Sequence, residues 1–380
     1  MANKNEPLTL TANKKLYGLD HLRAFAVMSV CLFHYGLSFY HPAWLSRFTG
    51  FGWTGVDLFF VLSGYLIASQ LFSKIAAGKQ ISIYTFFIKR FFRIIPAYLV
   101  VLAIYFCIPY AREWEALAPA WKFLSFTYNI NMDQLHDKTF GHAWSLCIEE
   151  QFYLLLPAIL GLLIYFKLIK KAWVLILTLF IAGFIVRFYS YQHFVGPIAD
   201  LKESRSNWYK WIFFPTYCRL DGLLTGISIA ALFEFRPLLK ERICKYGNQF
   251  LIGGVLILSV IFFLSRPTLE TYGFAIFGFP LVSIGYGAIV IGAISPVCFL
   301  YSTNSKITSA VATLSYAAYL VHKIMIHITQ DLLSKAGVSK TGILMFAASI
   351  IAVLLGAFLI NRLVEKPFLR LRSKILNSGF

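Results

Sequence analysis

The chain has 380 residues, of which 58% are hydrophobic, 17% aromatic and only 14% charged, with a formal net charge of +18. Soluble globular domains are nearer one quarter charged, so this composition, with apolar runs recurring from end to end, excludes a soluble protein and reads as an all-α, polytopic membrane bundle. The basic balance needs no nucleic acid, because multi-span proteins gather Lys and Arg in the loops of one side.

The first residues, MANKNEPLTLTANKKLYG, are polar. They lack an apolar core and a small-residue cleavage site, so the first span is expected to stay in the mature protein. Ten apolar helices follow, at about 20–40, 53–74, 91–110, 142–166, 172–191, 213–234, 249–265, 272–294, 309–332 and 342–362. Each approaches the ~20 residues that a ~30 Å hydrocarbon core demands. The seventh, ending near Arg266 and Pro267, is short. Ten spans put both termini on one side. Of the 35 Lys and Arg, 22 fall on that side, ten on the other, and three (Arg187, Arg219 and Lys323) within spans. Both termini are therefore expected in the cytoplasm. The organisation expected is a tail at 1–17, a membrane domain at 18–372 and a tail at 373–380. Pro157 and Pro280 fall inside spans and predict kinks. The six cysteines are scattered without a CxxC pair or His clustering, so they read as small buried hydrophobes, and neither a disulfide framework nor a metal site is expected.

Ionisable groups inside a span cost about 2.5–3.5 kcal/mol each on insertion scales, so each asks for a reason. Arg23 and His34 stand eleven residues apart in the first span, on one helix face and roughly 16 Å apart along the axis. Counted from helix ends, His34, Asp57, Glu149 and Glu150, Arg219 and Asp221, and His322 all fall in the outer half of the membrane. They can offset their desolvation only by facing each other or a wet cavity. At the inner end, Lys89 and Arg93 are i,i+4 and Arg90 and Arg93 are i,i+3, so they share a face. Guanidinium forks suit phosphate, whereas Lys89 reads as ordinary interfacial anchoring. Ser315, Tyr319 and His322 also share a face, which suits helix packing as well as a site.

Seven ordered segments now carry a resemblance: GLDHLRAFAVMSVCLFH (18–34), GVDLFFVLSGYLI (55–67), FFIKRFFRIIPAY (86–98), HAWSLCIEEQFYLLLP (142–157), YCRLDGLLTG (217–226), LSYAAYLVH (314–322) and VEKPFLRL (364–371). Over about 350 residues the chain resembles the acyltransferase 3 family of bacterial membrane sugar O-acyltransferases. Its R-x10-H element corresponds here to Arg23 and His34. Its basic pair at the third helix corresponds to Arg90 and Arg93, and its acidic pair after WSL to Glu149 and Glu150. The family commonly has glycine where this chain has His21. Many relatives continue into a soluble hydrolase-like domain. This sequence stops at Phe380, so transfer is expected to go directly to the acceptor or to a separate periplasmic acyl carrier protein.

The resemblance implies an O-acyltransferase of the bacterial inner membrane. Its donor would be cytoplasmic acyl-CoA, acetyl-CoA first and succinyl-CoA as the rival, and no metal is implied. Its acceptor would be a hydroxyl of a lipid-linked or polymeric envelope glycan, such as O-antigen or exopolysaccharide. Arg23, Arg90 and Arg93 would hold the CoA phosphates. His34 would act as general base or carry the acyl group itself. Glu150, or Glu149, would orient His34 as a carboxylate does in a triad. Asp57, Arg219, Asp221 and His322 are candidates to line the acceptor site. The alternatives are bracing of the site for Asp57, a structural bridge to one of the two glutamates for Arg219, and helix packing for His322. Ser63 and Gly64 read as helix-packing residues. A transporter of an anionic solute is the competing class; it would exchange solute without consuming CoA.

Overall fold

A computed structural model describes residues 16–133, 136–265 and 269–378, so most of the 1–17 tail and the Arg266–Pro267 end of the seventh span lie outside the described residues. Within them there is no strand. The principal helices are α1 (Tyr17–Ser38), α2 (Gly55–Ala76), α3 (Ile83–Cys107), α4 (Trp144–Tyr165), α5 (Ala172–Ser190), α6 (Asp221–Phe235), α7 (Pro237–Cys244), α8 (Gly247–Leu264), α9 (Phe279–Ile294), α10 (Lys306–Lys335), α11 (Ile343–Ile360) and α12 (Lys366–Asn377). Eight helical stretches among the described residues are long and apolar enough to cross a membrane. A ninth is reached by counting the bent pair α6–α7 as one span. The chain is a multi-pass membrane protein.

Two of the ten expected spans depart from that set. The first, α1, is long enough at 22 residues, but His21, Arg23 and His34 dilute its apolarity. The sixth, expected at 213–234, is α-helical only from Asp221 and is 15 residues long, because residues 214–220 around Pro215 leave the α-helix. Just beyond its end, Pro237 opens α7 with a bend of 112° from α6. Proline lacks the amide hydrogen and disfavours helical geometry in the residue before it, here Arg236. Pro280 lies inside its span as expected: the helix runs without a break from the π turn Phe274–Gly278 into α9, and the proline follows that turn by two residues. Pro157 is inside α4, and Pro96, unmarked in the sequence reading, is inside α3.

Burial separates an inner wheel from an outer ring. The most apolar windows of the spans containing α2, α9 and α10 are 67%, 72% and 61% buried, against 11% for α5, 22% for α8 and 28% for α11. The inner helices α1, α2, α6, α9 and α10 pack on one another, and α3 and α4 close against them. Close approach is bought by small residues. A Cβ on Gly64 would stand 2.3 Å from the backbone oxygen of Leu223, and one on Gly226 would stand 2.2 Å from that of Val61, so the α2–α6 seam admits only glycine there. Gly64 is thus the packing residue its spacing suggested. The segment between α3 and α4 folds back onto the bundle, with Phe123 stacked on Tyr128 and near Phe140. The residues 141–148 are all buried, so α4 begins inside the bundle rather than at its rim.

Candidate active site

Arg23 on α1, Arg90 and Arg93 on α3, Glu149, Glu150 and Tyr153 on α4, Ser63 on α2, and Ser315, Tyr316 and Tyr319 on α10 line one cavity of about 150 Å³. The three arginines expected to act together do converge. Lys89 is exposed and takes no part in the lining. The guanidinium groups are only loosely committed. Arg23 stands 3.9 Å from Asp20, and Arg93 stands 3.9 Å from Glu365, with about a third of each arginine side chain still exposed (37% and 36%). Glu365 is held in turn by the amide of Asn361 at 2.6 Å. Arg90 donates to the neutral amide oxygen of Gln70 at 3.2 Å, lies over the rings of Tyr153 and Phe86, and leaves Nε buried without a partner. Buried donors left open in this way are costly unless something completes them.

Along α4 the cavity wall changes character. Ser63 Oγ donates to Glu149 Oε1 at 3.1 Å, and Tyr153 OH donates to Glu149 Oε2 at 2.8 Å. Glu150 Oε1 is buried without a partner. One turn nearer the start of α4, the cavity closes on a hydroxyl pair. Ser145 Oγ lies 2.5 Å from Tyr319 OH, which donates to the backbone oxygen of His142 at 2.8 Å. The ring of Phe59 packs edge-on against Tyr319.

Directly behind that pair stand three imidazoles. Ring centroids are 5.0 Å apart for His34 and His322, 4.6 Å for His142 and His322, and 5.9 Å for His34 and His142. His322 Nε2 is 3.0 Å from His34 Nδ1. His142 and His322 are buried, whereas His34 keeps exposed surface, although it is not part of the cavity lining.

The expected pairing of His34 with Glu149 or Glu150 is therefore corrected: the ring is held by His322. The reason is that helix ends do not share one depth. Because α4 starts inside the bundle, the residue level with His34 is His142, and the two glutamates are seven and eight residues further on, about 10–12 Å deeper. They belong to the arginine-lined cavity. His322, expected at an acceptor site, is buried against His34. Asp57, Arg219 and Asp221 are corrected as well. Arg219 Nη2 donates to Asp57 at 2.8 Å, and Arg187 Nη1 donates to Asp221 at 2.7 Å, all four side chains being buried. The rings of Phe279, Phe213 and Trp144 stand 4.0, 4.6 and 5.2 Å from the Arg219 guanidinium carbon. These charges brace the bundle and line no part of the cavity. Lys323, unexplained by spacing, pairs with Glu113 at 3.2 Å. His21 bridges to the Thr303 backbone oxygen and the Thr308 hydroxyl. That is an interfacial tie between α1 and the start of α10.

The sequence reading missed His142, Ser145 and Tyr153. His142 stands two residues before WSL, Ser145 is its serine, and Tyr153 follows the acidic pair by one helical turn, so the motif itself held the signal.

The family described as an acyltransferase domain matches residues 16–362. The chain belongs to the acyltransferase 3 family. Among curated relatives, it is 30% identical over 326 residues to "O-acetyltransferase OatA" of Staphylococcus aureus (strain NCTC 8325 / PS 47), covering 81% of this chain and 50% of that protein. It is 28% identical over 377 residues to "Putative O-acetyltransferase SACOL0978" of Staphylococcus aureus (strain COL), covering 95% and 58%. The chain thus spans about half the length of the curated relatives it matches. No solved structure matches it significantly. The segments of α1, α2, α3, α4 and α10 that carry the family resemblance are those that line the cavity.

Proposed function

We propose that the chain is an O-acetyltransferase that takes an acetyl group from acetyl-CoA on the cytoplasmic side of the bacterial inner membrane. It delivers the group to a hydroxyl of an envelope or exported glycan on the other side. The observation that carries this reading is a single line of groups: three arginines at one end of a cavity, a hydroxyl pair at the other, and the imidazole cluster immediately behind. The surplus of Lys and Arg on the terminal side supports a cytoplasmic entrance.

On this reading, Arg90 and its neighbours Arg23 and Arg93 meet the CoA phosphates. The open Nε of Arg90 is a donor suited to a phosphate oxygen. A cavity of about 150 Å³ takes a thin chain and not a nucleotide, so the pantetheine arm enters while the nucleotide stays at the mouth. Glu149 and Glu150 face the arm and can accept from its amide N–H groups. Tyr319 then swings from Ser145 to admit the thioester to His34. There Nε2 of His34 takes the proton of the acceptor hydroxyl, the hydroxyl oxygen attacks the thioester carbonyl, and the carbon–sulfur bond breaks. The proton passes from the imidazole to the leaving thiolate, giving O-acetyl ester and free CoA. A glycan hydroxyl reaches His34 from the face that keeps exposed surface.

The test is mass spectrometry of envelope and exported glycans from cells with and without the gene, complemented by wild type or His34→Ala. The reading expects the mass of one acetyl group to be lost from a sugar when the gene is removed and to return with wild type only. Unchanged glycan mass, or full complementation by His34→Ala, would overturn it.

A further inference from the structure

The hydrogen-bond chain through the imidazole cluster fixes where its protons sit. A carbonyl oxygen can only accept. His322 Nδ1 lies 2.8 Å from the backbone oxygen of Tyr319, so that nitrogen carries a hydrogen. In the neutral ring, Nε2 of His322 then holds a lone pair. That atom is 3.0 Å from Nδ1 of His34, so His34 must supply the hydrogen between them. His34 is consequently in the Nδ1–H form, and its Nε2 is unprotonated. A protonated His322 would reverse the bond, but it would place a cation in a buried site next in sequence to Lys323, whose one carboxylate partner among the described residues is Glu113. Burying that further charge without a partner is the costlier state.

We infer that His322 is a positioning residue for the proposed transfer: it fixes the tautomer and orientation of the His34 ring and leaves Nε2 of His34 as the atom that receives the acceptor's proton. This rests on the reading of His34 as the reacting base. The role is the one a carboxylate fills in a serine-protease triad, where the partner of Nδ1–H holds the ring in the productive tautomer. Here the partner is a neutral imidazole, and it is anchored by the main chain of its own helix three residues back. The arrangement suits the depth. A carboxylate beside His34 would bury a full charge, whereas an imidazole locked by a carbonyl supplies an acceptor with no net charge. Once His34 holds the proton, His322 Nε2 still accepts from Nδ1–H, so the same bond serves both states of the base. Tyr319 supplies two groups to the site. Its hydroxyl closes the cavity, and its backbone oxygen sets the first bond of the chain, which puts the closure and the base on one turn of α10.

The experiment uses full-length protein labelled with ¹⁵N-histidine in lipid bilayers, with His34 resonances located as those missing in His34→Gln. The expected spectrum gives His34 as Nδ1–H with unprotonated Nε2. In His322→Leu the His34 ring should lose that form. His322→Gln, whose side-chain oxygen can accept from Nδ1–H, should retain it. Acetyl transfer from radiolabelled acetyl-CoA to the glycans of membrane vesicles is measured alongside. His322→Leu should lower kcat by about 10²- to 10⁴-fold with KM for acetyl-CoA unchanged, and His322→Gln should stay within about tenfold of wild type. An Nε2–H form in wild type, or a His34 tautomer that is the same in His322→Leu, would overturn the inference. If His322→Leu does not fold, the wild-type and His322→Gln spectra decide alone. Absence of acetyl transfer by wild type would strike the proposed function instead and leave the tautomer result standing.

Discussion

Arg219 and Arg90 are both held inside the bundle against aromatic rings, and both keep an Nε without a partner. They differ in what surrounds the guanidinium. Arg219 is 1% exposed, sealed by Phe279, Phe213 and Trp144, and neutralised by Asp57 at 2.8 Å. Arg90 borders a cavity and donates to the neutral Gln70. The first arginine has its charge satisfied within the fold, and the second keeps most of its charge for something that enters. An orphaned nitrogen is thus a poor guide to a binding residue by itself. The guide is an orphaned nitrogen on a side chain that lines a cavity and has no carboxylate within salt-bridge distance among the described residues.

Substitutions can break that comparison. The largest effect is expected at the sealed pair. Arg219→Leu leaves Asp57 buried without its counter-charge and should lower stability by about 3–5 kcal/mol, read by thermal unfolding in detergent, while the double change Arg219→Met with Asp57→Leu recovers much of it. Loss of stability in the double variant as large as in the single one would contradict the bracing role. Arg90→Ala should leave stability within roughly 1 kcal/mol of wild type. It should raise KM for acetyl-CoA by about 10- to 100-fold, the worth of a charge-assisted contact. Arg93→Ala should do the same more weakly, because its guanidinium is already shared with Glu365. Lys89→Ala, exposed and off the cavity, should change neither quantity beyond about 0.5 kcal/mol. Equal KM effects at Lys89 and Arg90 would mean that the basic face works as diffuse charge rather than as a site.

How much of this was legible in the sequence depends on whether spacing or depth carried the signal. Arg90 and Arg93 are three apart on one helix, and Arg23 sits at the same end of another, so their convergence followed from periodicity and orientation. Gly64 in a small-residue stretch read correctly as a seam. The glutamates did not, because their depth was counted from helix ends, and the start of α4 is sunk in the bundle under the folded-back segment before it. Asp57, Arg219 and Asp221 looked functional because a charge in a span signals expense, and expense is offset equally well by a buried partner as by a ligand. Arg187 and Lys323 had no visible partner in sequence, since Asp221 and Glu113 meet them only through tertiary packing. The hydropathy of α1 was lowered by the very residues, Arg23 and His34, that give the helix its place in the site.

The account turns on the arginine-lined cavity being the donor site and the imidazole cluster behind it being separate from donor binding. Equilibrium binding of radiolabelled acetyl-CoA to purified wild type, Arg90→Ala and His34→Gln tests that division most directly. The account predicts that His34→Gln binds acetyl-CoA as wild type does while failing to transfer acetyl, and that Arg90→Ala loses most of the binding. Undiminished binding by Arg90→Ala, or loss of binding in His34→Gln with its fold intact, would contradict it.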